Sequence, residues 1–408
     1  MMKIQRCKGT RDLSPAEMKA FRLIEGTFRE SCLKWGYEEV KTPTLEYLHL
    51  FTSTGTLTPG MLGKVYSFLD WDGWSGERVV LRPDGTIPVA RFFIEHMADK
   101  ALAKLFYTTN VFIFEETGKE TREKWQCGAE LIGAGSTTAD VELIVLVLEV
   151  LQKLGLKDIQ VRLSHAGVIR ALLTGLGLNP EEQARVFDQI LDGDAGALAR
   201  IRPGKSEAGK ALSLLLDLKG KSSGFLRNLG TLVNLPGLEP PLKNFIEIID
   251  LLESSGYDCQ IDIASGRGFE YYTGVIFQLF PNGTKIGGGG RYDALIPLLG
   301  GKNVPASGFA LYLDHLMDLV KPGSIKSAEP RVLIRTEPAS RQEGLSLASS
   351  LHSAGYVAEV DLGQSPADFR WTVDVRTQAP RFVLTDRGNH QELQAQTAKD
   401  VLAILNKG

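Results

Sequence analysis

Three polar clusters interrupt stretches that otherwise read as apolar sheet. Asp84 and Thr86 lie in LRPDGT, Gln126 and Glu130 in KWQCGAELIG, and Arg267, Glu270, Tyr271 and Tyr272 in IDIASGRGFEYYTG. A carboxylate or guanidinium buried in a sheet is costly unless it is paired or offered to a ligand. Taken singly, each residue is more often structural, and Arg267 alone reads first as an intramolecular ion pair. Taken together they describe a cleft with acids for an ammonium group, an arginine for a carboxylate and aromatic walls.

Other chemistries find less support. The run GGGGRYD, residues 287 to 293, lacks the Lys-Ser/Thr end of a phosphate cradle. Its glycines instead imply close backbone approach to a neighbouring segment or ligand, with Tyr292 capping that approach. The histidines are scattered, with no HExxH and no ligand-spaced pair. Cys7, Cys32, Cys127 and Cys259 are far apart and form no CxxC, so neither a metal site nor a disulfide framework is expected. No GxSxG is present and no cysteine stands beside an obvious histidine, so nucleophilic catalysis is unsupported. No catalytic residue, metal or cofactor is assigned.

The elements that must position these residues are legible as patterns. ERVVLRPDGTIPVARFFIEHM reads as strand, turn and helix, placing Asp84 and Thr86 at a junction where backbone donors converge. KLFYTTNVFIFEE and KWQCGAELIG read as an antiparallel hairpin, and alternation puts Gln126, Gly128 and Glu130 on one face. Residues 15 to 34 predict an amphipathic helix, opened by Ser14 and Pro15, striped by Met18, Phe21, Ile24, Phe28 and Cys32, and ended by Gly36. YEEVKTPTLEYLHLF reads as extended. TADVELIVLVLEVLQKLG predicts an apolar helix, IQVRLSHAGVIRALLTGLG a strand and helix, and residues 178 to 250 an all-helical insertion. Strand character returns at DCQIDIASGRGFEYYTGVIFQLF, and ASGFALYLDHLMDLV runs from strand into helix.

After the linker KPGSIKSAEP, the pattern is strand RVLIRT, helix SRQEGLSLASSLHSAG, strand YVAEVDL, a short helix, strand RFVLTD and a final helix. That alternation implies a small, mostly parallel sheet. A length of 408 residues favours two or three domains. With 43% hydrophobic and 23% charged residues the composition is that of an ordinary globular protein. A net charge of -3 supplies no global attraction to nucleic acid, which weighs against tRNA binding. MMKIQRCKGTRDLSP has no apolar core of signal-peptide length, and VELIVLVLEVL is interrupted by Glu142 and Glu149, so a cytoplasmic protein is expected.

KGTRDLSP, GYEEVKTPTLE, LRPDGT, QCGAELIG, RGFEYYTGVIF and GGGGRYDALI, in that order, resemble the successive signatures of the histidyl-tRNA synthetase superfamily, within the class II aminoacyl-tRNA synthetases. The resemblance covers nearly the whole chain. It implies an α+β fold over residues 1 to 322: an antiparallel six-stranded sheet flanked by helices, carrying the insertion at about 178 to 250 and dimerising through the first motif. It also implies that residues 323 to 408 are a shortened anticodon-binding domain, through AEVDLG and RFVLTD. In the pocket, Asp84 matches a family Glu that contacts the ligand's amino group, with Thr86 beside it. Gln126 and Glu130 match the pair reading the ammonium and the imidazole region, and Arg267 matches the arginine near the carboxylate. Tyr272 and Tyr292 match two pocket tyrosines. The implied ligand is free histidine.

The ATP side departs from the family. The second motif should carry an arginine in FRxE, but the stretch here is VFIFEE, with Phe112 at the arginine position. The following loop keeps Lys119 and Arg122 but adds Glu116 and Glu120, which repel triphosphate. The third motif should end in Glu-Arg, and the chain has Asp314 and His315. Losing positioned cations costs orders of magnitude in phosphoryl chemistry. The chain therefore resembles the branch that keeps the pocket and drops the reaction: regulatory subunits that partner the short-form catalytic subunit of ATP phosphoribosyltransferase in the first step of histidine biosynthesis, conferring feedback inhibition by histidine. The alternatives are a histidine–tRNA ligase with unusual ATP contacts and another synthetase-like amino-acid-binding paralogue.

Overall fold

The stripe read from residues 15 to 34 is α1 (Pro15–Lys34), and it begins on a capping box in which Ser14 accepts from the Glu17 N–H and Glu17 accepts from the Ser14 N–H. Phe21, Ile24, Phe28 and Cys32 are buried, and Gly36 leaves the helix at φ 80°, where a side chain would be strained. The computed structural model describes residues 5–55, 57, 59–70, 76–113, 121–179, 181–183, 185–186, 208–210, 224, 226–228, 235–262, 272–320, 331–363 and 369–407.

The segment expected to be extended forms β1 (Glu38–Glu39) and β2 (Leu45–Tyr47), then turns helical over residues 48–52. Leu50 and Phe51 are both buried, which the alternation of a one-faced strand forbids, so the extended reading fails from Leu48 onward. β3 (Ser67–Leu69) and β4 (Arg78–Leu81) join β2 in a small antiparallel sheet ordered β2-β4-β3.

The principal sheet follows. After α2 (Thr86–His96) come β5 (Ala103–Phe112), β6 (Glu123–Ile132), α3 (Thr137–Lys153), β7 (Ile159–His165) and α4 (Ala166–Gly175). Then come α5 (Glu239–Ser254), β8 (Cys259–Ile261), β9 (Val275–Pro281), β10 (Gly287–Arg291), β11 (Ala306–Tyr312) and α6 (Leu313–Leu319). The strand order is β1-β5-β6-β11-β10-β9-β7-β8. The six strands from β5 to β7 are antiparallel to their neighbours, as expected; the short edge strands β1 and β8 add parallel pairs. Between residues 178 and 250, the described residues include no strand, and the rest of the expected insertion lies outside them.

The two faces of this sheet have different composition. Phe106, Ala129, Phe309, Gly289 and Phe277 are cross-strand partners on one face. Phe28 of α1 meets Phe106 and Phe309 edge-on at 5.9 and 6.2 Å, and α3 supplies an almost wholly buried apolar helix to the same core. Burial there, at about 25 cal/mol per Å², is the main force that fixes the sheet in place and leaves its other face to the pocket.

The chain divides into two compact units, Met1–Ile325 and Lys326–Gly408. The second contains β12 (Arg331–Thr336), α7 (Arg341–Ser353), β13 (Val357–Val360), β14 (Trp371–Val375), β15 (Phe382–Asp386), β16 (Gln391–Ala395) and α8 (Ala398–Leu405). Its order is β13-β12-β14-β15-β16, with parallel pairs only among the first three strands. The sequence pattern missed β14 and β16, and the sheet is accordingly less parallel than expected. QELQA carries no apolar alternation because it is an exposed edge, whereas WTVDV does alternate apolar and polar letters and so carried a usable strand signal. Where a short helix was expected between β13 and β15, the described residues hold strand β14 instead; residues 364–368 lie outside the described set.

Candidate functional site

The pocket face of the principal sheet is built by strand register. One row runs Ile276, Gly290, Gly308, Glu130; the next runs Gln278, Gly288, Ala310, Gly128, Tyr107; a third brings Tyr312 beside Gln126. Cross-strand partners point to the same face, so the centre of this surface is glycine and alanine while its margins are polar or aromatic. A floor without side chains leaves a concavity that opens to solvent. Asp84, Thr86, Gln126, Tyr272, Gln278, Lys285, Tyr292 and Tyr312 are among its lining residues.

Two glycines are required by this packing. A Cβ on Gly308 would collide with the Glu130 carboxylate and come within 2.7 Å of the Tyr292 hydroxyl. A Cβ on Gly290 would come within 2.9 Å of the Tyr272 ring. Tyr272 and Tyr292 form adjacent walls, with ring centroids 6.5 Å apart.

Glu130 is 1% exposed on β6, and its Oε2 accepts a hydrogen bond from the Tyr292 hydroxyl. Among the described residues its Oε1 has no hydrogen bond of good geometry, and neither do Gln126 Oε1 and Gln278 Nε2. Three buried polar atoms in this state cost free energy that a ligand can recover. Burial pushes the Glu130 carboxyl up to about 8, with the Asp84 charge adding to the rise and donors from Tyr292, Thr86 and Tyr107 opposing it.

Asp84 and Thr86 stand where β4 turns into α2. Asp84 Oδ1 accepts the Ile87 N–H at 2.9 Å, capping the helix, so the carboxylate serves the fold as well as the pocket. Burial nevertheless lifts it to about 6. The preceding Arg82 fixes the turn from behind. Its guanidinium donates to the carbonyls of Thr42, Pro43 and Asn110 at 2.8–2.9 Å and to the Asn110 side chain at 2.9 Å.

The structure thus brings Asp84, Thr86, Gln126, Tyr272 and Tyr292 together around one pocket, with Glu130 buried beside it on the Tyr292 hydroxyl. Arg267, together with Glu270 and Tyr271, lies outside the described residues. Sequence reasoning missed Gln278, Lys285, Tyr312 and Tyr107. Gln278 carried a usable signal, since it is the polar letter inside VIFQLF; Tyr107 did not, because an aromatic in a strand reads as core.

Arg291, the cation of GGGGRYD, faces away from this task. It makes a bidentate pair with Asp140 of α3 at 2.7 and 3.1 Å and also reaches Asp293 at 3.0 Å and the Ala134 carbonyl at 3.2 Å. The pair anchors the end of β10 so that Tyr292 enters the pocket, with its N–H bonded to the Ala306 carbonyl at 2.7 Å. His165 is likewise structural. Nδ1 accepts the Val168 N–H at 3.3 Å and Nε2 lies 3.0 Å from Asn244 Oδ1, while burial pushes the ring down to about 4 and keeps it neutral. Among the described residues no cluster could hold a metal ion, and no helix is long and apolar enough to cross a membrane.

The model of the histidyl-tRNA synthetase family matches residues 9–316. The chain belongs to this family. Among curated relatives, the ATP phosphoribosyltransferase regulatory subunit of Dehalococcoides mccartyi is 49% identical over 99% of this chain and 98% of its own length. The histidine–tRNA ligase of Methanosarcina acetivorans is 34% identical over 86% of this chain and 84% of its own. A solved structure described as an ATP phosphoribosyltransferase regulatory subunit/histidyl-tRNA synthetase from Bacillus halodurans superposes with a TM-score of 0.77 at 27% identity, covering 90% of this chain and 95% of that one. The α+β architecture is accordingly the class II synthetase fold.

For this member of the histidyl-tRNA synthetase family, the positions of the second and third motifs are informative. Phe112 ends β5, and its N–H bonds to the Arg82 carbonyl at 2.9 Å. Asp314, in the first turn of α6, pairs with Arg11 at 2.8 Å and accepts the Trp125 N–H at 2.9 Å. His315 Nδ1 lies 2.9 Å from the Lys285 carbonyl. Glu116, Lys119 and Glu120 fall outside the described residues, and Arg122 reaches the Tyr66 hydroxyl at 3.2 Å.

Proposed function

We propose that this chain is a non-catalytic regulatory subunit of ATP phosphoribosyltransferase that binds free histidine and conveys feedback inhibition to a short-form catalytic subunit. What supports the reading is a buried, partly unsatisfied polar pocket, together with the residues that stand where the family resemblance expects phosphate-binding arginines. Glu130 Oε1 and Gln126 Oε1 are buried acceptors awaiting N–H donors, as the ammonium and ring N–H of histidine would supply. Where the family resemblance places phosphate-binding arginines stand Phe112 and the Asp314–His315 pair, and Asp314 is committed to Arg11 and the β6 backbone. The names of relatives at 49% identity support the same assignment.

In this reading Gln126, Glu130, Asp84 and Thr86 face the ligand's cationic groups, Arg267 its carboxylate, and Tyr272 and Tyr292 its ring. The protein works in the cytoplasm, where histidine is made, and dimerises through the first motif. β2, β4 and β3 place Tyr47, Val79 and Phe68 in one row, with Leu45 beside Leu81, and Leu45, Tyr47 and Phe68 are 47, 42 and 42% exposed. A second copy would cover that apolar face.

The test is an assay of the short catalytic subunit with and without this chain, titrated with histidine. Activation by the chain and inhibition by histidine are expected. An unaffected catalytic subunit, or histidine-dependent pyrophosphate exchange by the chain alone, would overturn the proposal.

A further inference from the structure

Tyr107 is a buried phenol that the pocket description leaves without a task. It lies on β5 as the cross-strand partner of Gly128, is 3% exposed, and reaches through a gap that only glycines leave open. A Cβ on Gly85 would come within 2.7 Å of its hydroxyl, and one on Gly128 would collide with the same end of the ring. Two positions on different elements, the turn before α2 and strand β6, therefore lack side chains at the point where this hydroxyl arrives. The hydroxyl makes no hydrogen bond of good geometry, although Glu130, Asp84 and Thr86 all lie close enough to act on it. Burying a phenolic O–H in that condition costs free energy. An apolar phenylalanine would fill the same space without the cost.

We propose that Tyr107 is a positioning residue for Glu130: when the carboxyl ionises, as a cationic group entering the pocket requires, the phenol donates to it from behind, and so sets the pH range over which the ligand is held. Glu130 already receives the Tyr292 hydroxyl at Oε2, and its Oε1 has no hydrogen bond of good geometry among the described residues. A carboxylate held by donors on two sides presents its remaining lone pairs toward the ligand and is stabilised in its charged form. The ionisable groups around Glu130 from the surrounding described elements include Asp84 ahead of α2, Tyr107 on β5, Tyr37 after α1, Tyr272 ahead of β9 and Tyr292 after β10, with Lys285 farther along the pocket wall. Asp84 opposes ionisation, whereas the Tyr107, Thr86 and Tyr292 hydroxyls favour it. The inference rests on the histidine-binding reading for its ligand, and on the cluster itself for its chemistry.

Tyr107→Phe in the full chain removes the donor and keeps the ring. Calorimetry with free histidine should show binding weakened about tenfold at pH 7, a deficit that narrows as pH rises towards 9, because the variant's Glu130 needs a higher pH to ionise. A deficit of equal size at every pH, or none, would overturn the proposal. If the wild-type chain fails to bind histidine, the functional reading falls, and Tyr107 is then judged by urea unfolding of unliganded protein. Between pH 7 and 9 the variant should lose stability relative to wild type as pH rises, and this relative loss should vanish when both proteins carry Glu130→Gln. A pH-independent difference would overturn the inference on its own.

Discussion

Tyr292 donates its hydroxyl hydrogen to Oε2 of Glu130, while Oε1 of the same buried carboxyl has no hydrogen bond of good geometry among the described residues. The tyrosine thus does two jobs, as a wall beside Tyr272 and as a clamp on the acid. The acid is held in a single orientation before any ligand arrives, which lowers the ordering cost of binding.

Glu130→Gln should cripple histidine binding while preserving the Tyr292 contact. Truncating a buried charged partner costs about 2–5 kcal/mol, so calorimetry should register a loss of at least thirtyfold. The unliganded variant should be the more stable protein near pH 8. The Glu130 carboxyl is raised from 4.5 to about 8, so its favourable contribution is complete below 4.5 and is lost as pH rises through about 8. Glutamine carries no such loss, and denaturant melts at pH 5 and pH 8 would reveal the widening gap.

Histidine affinity should climb by about fivefold from pH 7 to pH 8, since the carboxyl must shed its proton before it can meet a cation. The ligand's imidazole is already largely neutral in that interval, with an ordinary value near 6.5, so the climb belongs to the protein. Titrations at pH 7 in buffers of different ionisation enthalpy should show proton release on binding. Uptake, or no exchange, would contradict the protonated resting state of Glu130.

Gly308→Ala should close the pocket. Its methyl would overlap the Glu130 carboxylate and crowd the Tyr292 hydroxyl, and overpacking of this kind typically costs about 1–3 kcal/mol. The expected result is a folded protein with a lowered melting temperature and no measurable histidine binding. Retention of wild-type affinity would show that the floor is not where the ligand sits.

Asp140→Ala should be among the more damaging single changes on this sheet. It leaves Arg291 buried without its bidentate partner, a defect of about 3–5 kcal/mol. Because Tyr292 follows Arg291 directly, histidine binding should fall together with stability. The double variant Asp140→Leu with Arg291→Met should recover stability that either single change loses.

What the sequence disclosed follows from where the local signals agree with the tertiary ones. α1 was legible because Ser14, Glu17 and the Phe21–Cys32 stripe all point to one helix, and the β5–β6 hairpin because two strand-like runs flank a polar loop, with Gln126, Gly128 and Glu130 at two-residue spacing. β16 was hidden because a polar edge strand is defined by its partner β15 and not by its own letters. In the pocket, polar residues out of place in apolar strands led to Gln126 and Glu130, and the same rule applied to Gln278 would have added it. Tyr107 could not be found that way, since its importance lies in which neighbours are glycine.

Arg82 has a mechanical consequence. Its guanidinium bolts the Thr42–Pro43 carbonyls to Asn110 on β5, and its own carbonyl holds the Phe112 N–H, while two residues later the chain delivers Asp84 to the pocket. The segment leading into the exposed Leu45 and Tyr47 and the turn carrying the pocket acid are therefore parts of one truss. Neither can tilt without dragging the other, so strain introduced at the apolar outer face is felt at the carboxyl that caps α2.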